Sequence, residues 1–284
     1  MKFINFLLIN IYFMKSILLT KRSSPQIYMA NQLFDRNIIN QVYLEEGESI
    51  DSSNYFNKKH LNYKNIFYNL RLIISYLYNP KFLYYYIYKL INKSKFFGMK
   101  AKYDILILEN NYIEFNSYLD IKLVKNINDP NVIEKIMQFK PNCIFIFGTS
   151  IISHKIISKI SCPVINLHWG ISPQYRGEGI ISSLAFEGKN GPGITIHKIS
   201  NVVDDGEILY QEKPNIDNKD NFYSIGLKLT KLGLIYFSQV NVDIQRNIPL
   251  VGVKKTSKKS FFFNSEYMKK NPKIYYSAWK ELKK

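Results

Sequence analysis

Cysteine is nearly absent: Cys143 and Cys162 are the two in 284 residues, which excludes a disulfide framework and a cysteine-built metal cluster. Both sit in apolar runs, NCIFIF and SCPVINL, where a small buried thiol is expected, and the compartment is read as reducing and cytoplasmic. Histidine is also scarce. His60, His154, His168 and His197 are the complete set, none spaced like a zinc motif, so no metal is expected. Long apolar runs are missing too. The opening MKFINFLLINIYF is too short to span a bilayer and no small-residue cleavage site follows it. The adjoining MKSILLTK reads as a first buried strand, with Met14 as an alternative start, and no membrane partner is expected.

Acidic residues are few beside the basic ones: 22 Asp and Glu against 39 Lys and Arg, a formal charge of +17. Such an excess ordinarily points to phosphate-bearing partners. Asn, Lys, Ile, Tyr and Phe crowd the entire chain, however, so many lysines are read as solvated surface and a nucleic-acid partner is disfavoured.

What is present is a core: 46% of the residues are hydrophobic, enough for one large domain and a smaller appendage. KSILLTK (15–21) reads as a strand, QIYMANQLFDRN as a helix with Ile27, Ala30 and Leu33/Phe34 on one face, and INQVYLEEG as a second strand. This is the opening of a Rossmann-like parallel sheet. The rhythm resumes with strands at DILILEN (104–110) and IKLVKNIND (121–129), a helix at PNVIEKIMQFKP, a strand at NCIFIFGTS, a helix at HKIISKIS (154–161) and a strand at PVINLH. Strands that are almost unbroken Ile, Val, Leu and Phe are buried on both faces, as in parallel sheets. The fold class expected is α/β, a mostly parallel sheet flanked by helices, with a catalytic domain over 14–215. A helical insert at about 55–100, rich in Tyr and hinged near Pro80, interrupts it. Residues 216–284 form a C-terminal helix and a small basic appendage. The aromatic insert has two readings: a face that stacks a nucleotide base, or packing against the main domain or a second subunit, which leaves a homodimer open.

In such sheets ligands bind beyond the carboxyl ends of the strands, which gathers Gly148-Thr149-Ser150 and Asn166-Leu167-His168 at one edge. Asn166 and His168 are two apart, so on an extended strand both leave the same face, roughly 7 Å apart, while Leu167 enters the opposite layer. An amide N–H and an imidazole suit an oxygen that becomes negative during a reaction. In the acidic turn Val203-Asp204-Asp205-Gly206 a carboxylate could orient the imidazole and collect a proton. Plainer readings stand beside these: Asn-x-His as a structural strand end, Asp-Asp-Gly as a simple turn, Thr149 and Ser150 as caps of the following helix, and His197 as a satisfied core or supporting histidine.

INLHWGISPQYRG followed by GITIHKISNVVDDGEIL resembles the signature of the formyltransferases that use N10-formyltetrahydrofolate. The likeness is strong over about 140–215, weaker over 14–50 and 121–139, and absent from the insert and the tail. It implies a Rossmann-like fold and formyl transfer to a primary amine, with Asn166, His168 and Asp204 as the catalytic residues. It implies a pterin site on the loops Phe147, Gly148, Thr149, Ser150, Ile151 and Ile152, and Val202, Val203 and Asp204. It also implies an acceptor loop of Ser172, Pro173, Tyr175, Arg176 and Gly177. The reading of HWGISPQYRGEGI is closest to enzymes that modify sugars, so the expected acceptor is a nucleotide-linked amino dideoxy sugar. Methionyl-tRNA formyltransferase is the rival, favoured by Lys254, Lys255, Lys258, Lys259, Lys269 and Lys270 in the tail and disfavoured by the short stretch after the core. A formyltetrahydrofolate hydrolase, with water as the acceptor, follows it.

Overall fold

The computed structural model describes residues 14–46, 114–256, 260–264, 267–268 and 271–284. The expected aromatic insert, the strand expected at 104–110 and the tail lysines 258, 259, 269 and 270 lie outside these residues, as do residues 1–13.

Strand β1 (Ser16–Lys21) leads into helix α1 (Ser24–Asp35), which carries a proline in its first turn where a missing N–H costs nothing, and then into β2 (Gln41–Glu45). β3 (Asp120–Val124), α2 (Pro130–Phe139), β4 (Cys143–Phe147), the short α3 (His154–Ile157) and β5 (Val164–His168) follow. Asp129 caps α2 by accepting from the Asn131 N–H at 2.9 Å. Among the described residues the strands make a seven-stranded sheet in the order β3-β2-β1-β4-β5-β7-β8, where β7 is Ile194–Lys198 and β8 is Ile208–Glu212. β3 through β5 run parallel, and β7 and β8 close the sheet antiparallel.

Alternation along the strands sends side chains into two cores. Leu18, Phe145, Ile165 and Leu167 pack with Met29 and Leu33 of α1 and with Phe237 of the long helix α5 (Phe222–Gln245). Ile17, Leu19, Ile144, Ile146 and Val164 pack with Ile133 and Ile136 of α2 and Ile156 of α3. Both faces of the central strands are therefore buried, while the edge strand β3 exposes Leu123.

One sequence expectation changes, and two further features emerge. The helix expected at 154–161 ends at Ile157. Ser158 turns its hydroxyl back to the Lys155 carbonyl at 3.2 Å, offering the backbone an alternative to another helical turn. GPGITIHKISNVVDDGEILYQEKP forms the two strands β7 and β8 around the acidic turn. The tail is tied down: β9 (Phe261–Phe263) pairs in parallel with β6 (Tyr175–Gly177), and α6 (Pro272–Lys283) packs on α4 (Gly179–Glu187).

Candidate active site at the carboxyl edge of the sheet

β5 ends at His168, and the antiparallel register beside it sets Asn166 against His197 and His168 against Thr195. All four side chains share one face, because partners across a ladder point the same way. The Thr-Ile-His of β7 is thus the other half of the Asn-x-His of β5.

His168 is 6% exposed. Its Nε2–H donates to the Tyr175 carbonyl at 2.7 Å, and its Nδ1 lies 3.4 Å from Asp204 Oδ2. A carbonyl only accepts, so Nε2 carries a proton; Nδ1 facing a carboxylate is favourable when it carries one as well. With both ring nitrogens protonated, the pair would be an imidazolium against a carboxylate. Asp204 Oδ2 also accepts the Gly177 N–H at 2.9 Å, and Asn166 Nδ2 donates to its Oδ1 at 3.4 Å. Burial pushes the Asp204 carboxyl up. The charge of His168, a hydrogen bond with His197, the charge of His197 and the Gly177 N–H outweigh it and hold the carboxyl far below the usual range.

His197 completes the cluster. Its Nδ1–H donates to the Lys198 carbonyl at 2.9 Å, so the neutral ring accepts at Nε2 from Asn166 Nδ2, 3.0 Å away. When the ring is protonated, Nε2 becomes a donor toward Asp204 Oδ1 at 3.7 Å. His197 therefore touches Asn166 and Asp204 and orients both.

The backbone accounts for the small residues around this cluster. A Cβ on Gly170 would lie 2.4 Å from His168 Nε2 and 2.3 Å from the Tyr175 carbonyl oxygen, so only glycine lets the chain fold back to meet the imidazole. Asp204 itself has φ 52, a left-handed conformation that aspartate tolerates better than most residues and that marks functional turns.

The expected acceptor loop is built largely from inward contacts. Thr195 Oγ1 donates to the Gly170 carbonyl at 2.6 Å and accepts the Ser172 N–H at 3.0 Å. Gln211 Nε2 donates to the Ser172 carbonyl at 2.7 Å. Ser172-Pro173 is a cis peptide. Tyr175 contributes its carbonyl to His168, while its hydroxyl donates to Glu187 at 3.0 Å. Arg176 donates to the Val203 carbonyl at 3.3 Å, and its guanidinium lies 5.9 Å from the centre of the Phe262 ring. Gly177 engages Asp204, as above.

On the other side, the loop after β4 is anchored rather than loose. Thr20 Oγ1 donates to the Phe147 carbonyl at 2.6 Å, Glu45 accepts the Ser150 N–H at 2.8 Å, and Asn128 donates to the Ile151 carbonyl at 3.0 Å. Thr149 bonds the Ser150 carbonyl at 2.8 Å. Ser153 is the residue at the start of α3, so neither Thr149 nor Ser150 is its cap. Two large apolar side chains stand out of these loops, Ile151 at 65% and Val202 at 51% exposure. A flat heterocycle needs apolar cover for its faces and main-chain groups for its edge, and this edge of the sheet offers both.

Among the described residues no three His, Cys, Asp or Glu side chains are grouped to hold a metal, and no helix is long and apolar enough to cross a membrane. Sequence reasoning missed Glu45, Thr195, Gln211 and Phe262. Thr195 was signalled by its place two residues before His197 on the same strand face; the other three are brought in by topology and had no local signal.

Residues 100–240 match the formyl transferase family. The chain belongs to that family. Methionyl-tRNA formyltransferase of Ehrlichia canis is 29% identical over 146 residues, 51% of this chain and 46% of that protein. The chain spans about half the length of the curated relatives it matches. Among solved structures, a 4-N formyltransferase from Francisella tularensis superposes with a TM-score of 0.52 at 18% identity, over 91% of this chain and 79% of that one. Phosphoribosylglycinamide formyltransferase from Anaplasma phagocytophilum gives a TM-score of 0.52 at 16% identity, over 89% and 98%. These structures share the fold of this chain.

Proposed function

We propose that this formyl transferase moves a formyl group from N10-formyltetrahydrofolate to the primary amine of a nucleotide-linked amino dideoxy sugar. The observation that carries the reading is the convergence of Asn166, His168 and Asp204 at the end of β5, with the imidazole ion-paired to the carboxylate. The pterin is assigned to the edge between the loops 147–152 and 201–205, with Ile151 and Val202 covering its faces. The co-substrate supplies a formyl carbon bonded to nitrogen.

The chain's own groups act on the charge and the protons of the transfer. Of the two Asn166 contacts, the 3.4 Å bond to Asp204 is the weaker, so that N–H is the donor that turns to a developing oxyanion. The Tyr175 carbonyl holds His168 Nε2–H until a negative oxygen, a stronger acceptor than a neutral carbonyl, displaces it. Asp204 is a weak base while both imidazoles face it, so its first role is to hold the imidazolium. As the new C–N bond to the amine forms and the formyl carbon's bond to the folate nitrogen breaks, His168 gives its proton to that leaving nitrogen; the carboxylate then loses its stabilisation and takes the proton of the attacking amine.

A second reading keeps the chemistry and changes the acceptor to methionyl-tRNA, because curated relatives at 29%, 26% and 35% identity carry that name. Two of the tail lysines that would meet phosphate are engaged within the protein. Lys254 pairs with Asp205 at 2.7 Å, and Lys255 donates to Gln211 at 2.6 Å. The two readings are separated by offering both acceptors, nucleotide-linked amino sugars and initiator methionyl-tRNA, in one competition with N10-formyltetrahydrofolate and weighing the products. A formylated sugar supports the first reading, and formylated tRNA alone replaces it with the second.

A further inference from the structure

Glu45 is a buried carboxylate that the transfer chemistry does not use. It ends β2 on the functional edge of the sheet yet is only 4% exposed. Its Oε1 accepts the Ile127 N–H at 3.1 Å and its Oε2 the Ser150 N–H at 2.8 Å. Lys21, the last residue of β1, places Nζ 3.5 Å from Oε2 and donates to Ser150 Oγ at 2.8 Å. One carboxylate therefore ties three connections: the one leaving β1, the one between β3 and α2, and the one leaving β4. Burial alone would raise its pKa. The Ser150 and Ile127 N–H groups, the Ser150 hydroxyl and the Lys21 charge outweigh burial and bring it below the usual range, so both oxygens remain acceptors.

The same loop is held a second time from the β3–α2 connection. Asn128 donates to the Ile151 carbonyl at 3.0 Å and accepts the Ser153 N–H at 2.7 Å. Between these ties the Ile151 side chain stands out into solvent. The backbone is fixed, and the exposed part is an apolar side chain of defined position.

We infer that Glu45 is the positioning residue of the formyl-donor loop: by engaging Ser150 it sets the place of Ile151, on which the flat ring of the donor rests. This inference rests on the folate reading above. Because the Ser150 N–H is already engaged by Glu45, it is not a donor to the ligand. Glu45 acts through the loop, at the step of donor binding and not on the reacting atoms.

Glu45→Gln keeps the size of the side chain but turns one acceptor oxygen into an NH2 group, which must face either the Ser150 or the Ile127 N–H. The test measures binding of 5-formyltetrahydrofolate by calorimetry, and steady-state kinetics with N10-formyltetrahydrofolate, on the full chain with and without this change. The expected result is a rise of about tenfold in Kd and in the donor KM, with kcat and the acceptor KM within about twofold. A merely structural role would instead lower the active fraction, reducing apparent kcat while every KM stayed put; that result, or unchanged donor binding, overturns the inference. Should Glu45→Gln fail to fold, Lys21→Met, which leaves both amide bonds in place, decides: a several-fold weaker donor supports the clamp, and unaltered donor affinity overturns it. A wild-type chain that binds no folate overturns the functional reading and the inference together, whereas wild-type binding matched by Glu45→Gln overturns the inference alone.

Discussion

Asn166 donates to two neighbours at once, His197 at 3.0 Å and Asp204 at 3.4 Å, and this makes it the residue whose loss should be felt in turnover before stability. Removing one oxyanion donor typically costs about a hundred- to a thousandfold in rate. Asn166→Ala is expected to lose that much in kcat while its thermal melt stays cooperative; near wild-type turnover would remove Asn166 from the mechanism. Asp204 makes a prediction in pH. Its folded pKa is held far below the unfolded value of about 3.9, so its ionised form contributes stability that is fully present above that pH and is lost as pH falls through the folded pKa. The difference in unfolding free energy between wild type and Asp204→Asn should therefore be flat from neutral pH down to about 5 and shrink in stronger acid. A difference that did not shrink below about pH 4 would contradict the depressed Asp204 carboxyl. Gly170 is the third residue with a forced identity. Gly170→Ala would drive a methyl into His168 Nε2 and the Tyr175 carbonyl, and is expected to abolish transfer; full activity in that variant would contradict the observed approach of loop to imidazole.

At the scale of elements, the pairing of β5 with β7 and the return of the 170–177 loop carry the site. Thr195 is fully buried, with one hydroxyl bonded to the Gly170 carbonyl and the Ser172 N–H. Thr195→Val keeps the shape and removes both bonds together with the one accepted from Gln211 Nε2 at 3.0 Å, leaving buried polar groups unsatisfied at about 1–3 kcal/mol each. The expected outcome is a lower melting temperature and a raised acceptor KM with the donor KM unchanged; a variant that melts lower with both KM values intact would make Thr195 purely structural. Legibility in the sequence follows the range of the contact. The two-residue spacing of Asn166 and His168, and the alternation that sends Leu167 to the other core, depend on strand geometry alone and can be read directly. The site-facing role of Glu45 depends on β2 ending beside Ser150, a residue far along the chain, and no local pattern announces it. α3 is shorter than its pattern suggests because HKIISKIS has helical periodicity while its serines compete for the backbone.

At the scale of the whole molecule, the parallel sheet is legible because both faces of its central strands are buried, and a strand-length run of Ile, Val, Leu and Phe bounded by turn residues fits little besides a strand covered on both sides. The antiparallel closure by β7 and β8 is not, since the turn between them is held by contacts to β6. The C-terminal strand and helix likewise owe their places to partners in β6 and α4, not to their own pattern. Lys198, Lys213, Lys228 and Lys254 have local acidic partners, so these four lysines are engaged within the protein, while the net excess of 17 positive charges remains over all acidic groups.

The measurement that tests the central claim most directly follows an isotopically labelled formyl group from N10-formyltetrahydrofolate into a panel of primary amines, with wild type and Asn166→Ala side by side. The account predicts labelled formamide on a nucleotide-linked amino sugar with wild type and about a hundredfold less with the variant. Label that stays on the folate with every amine, or that moves equally fast with both proteins, would contradict it.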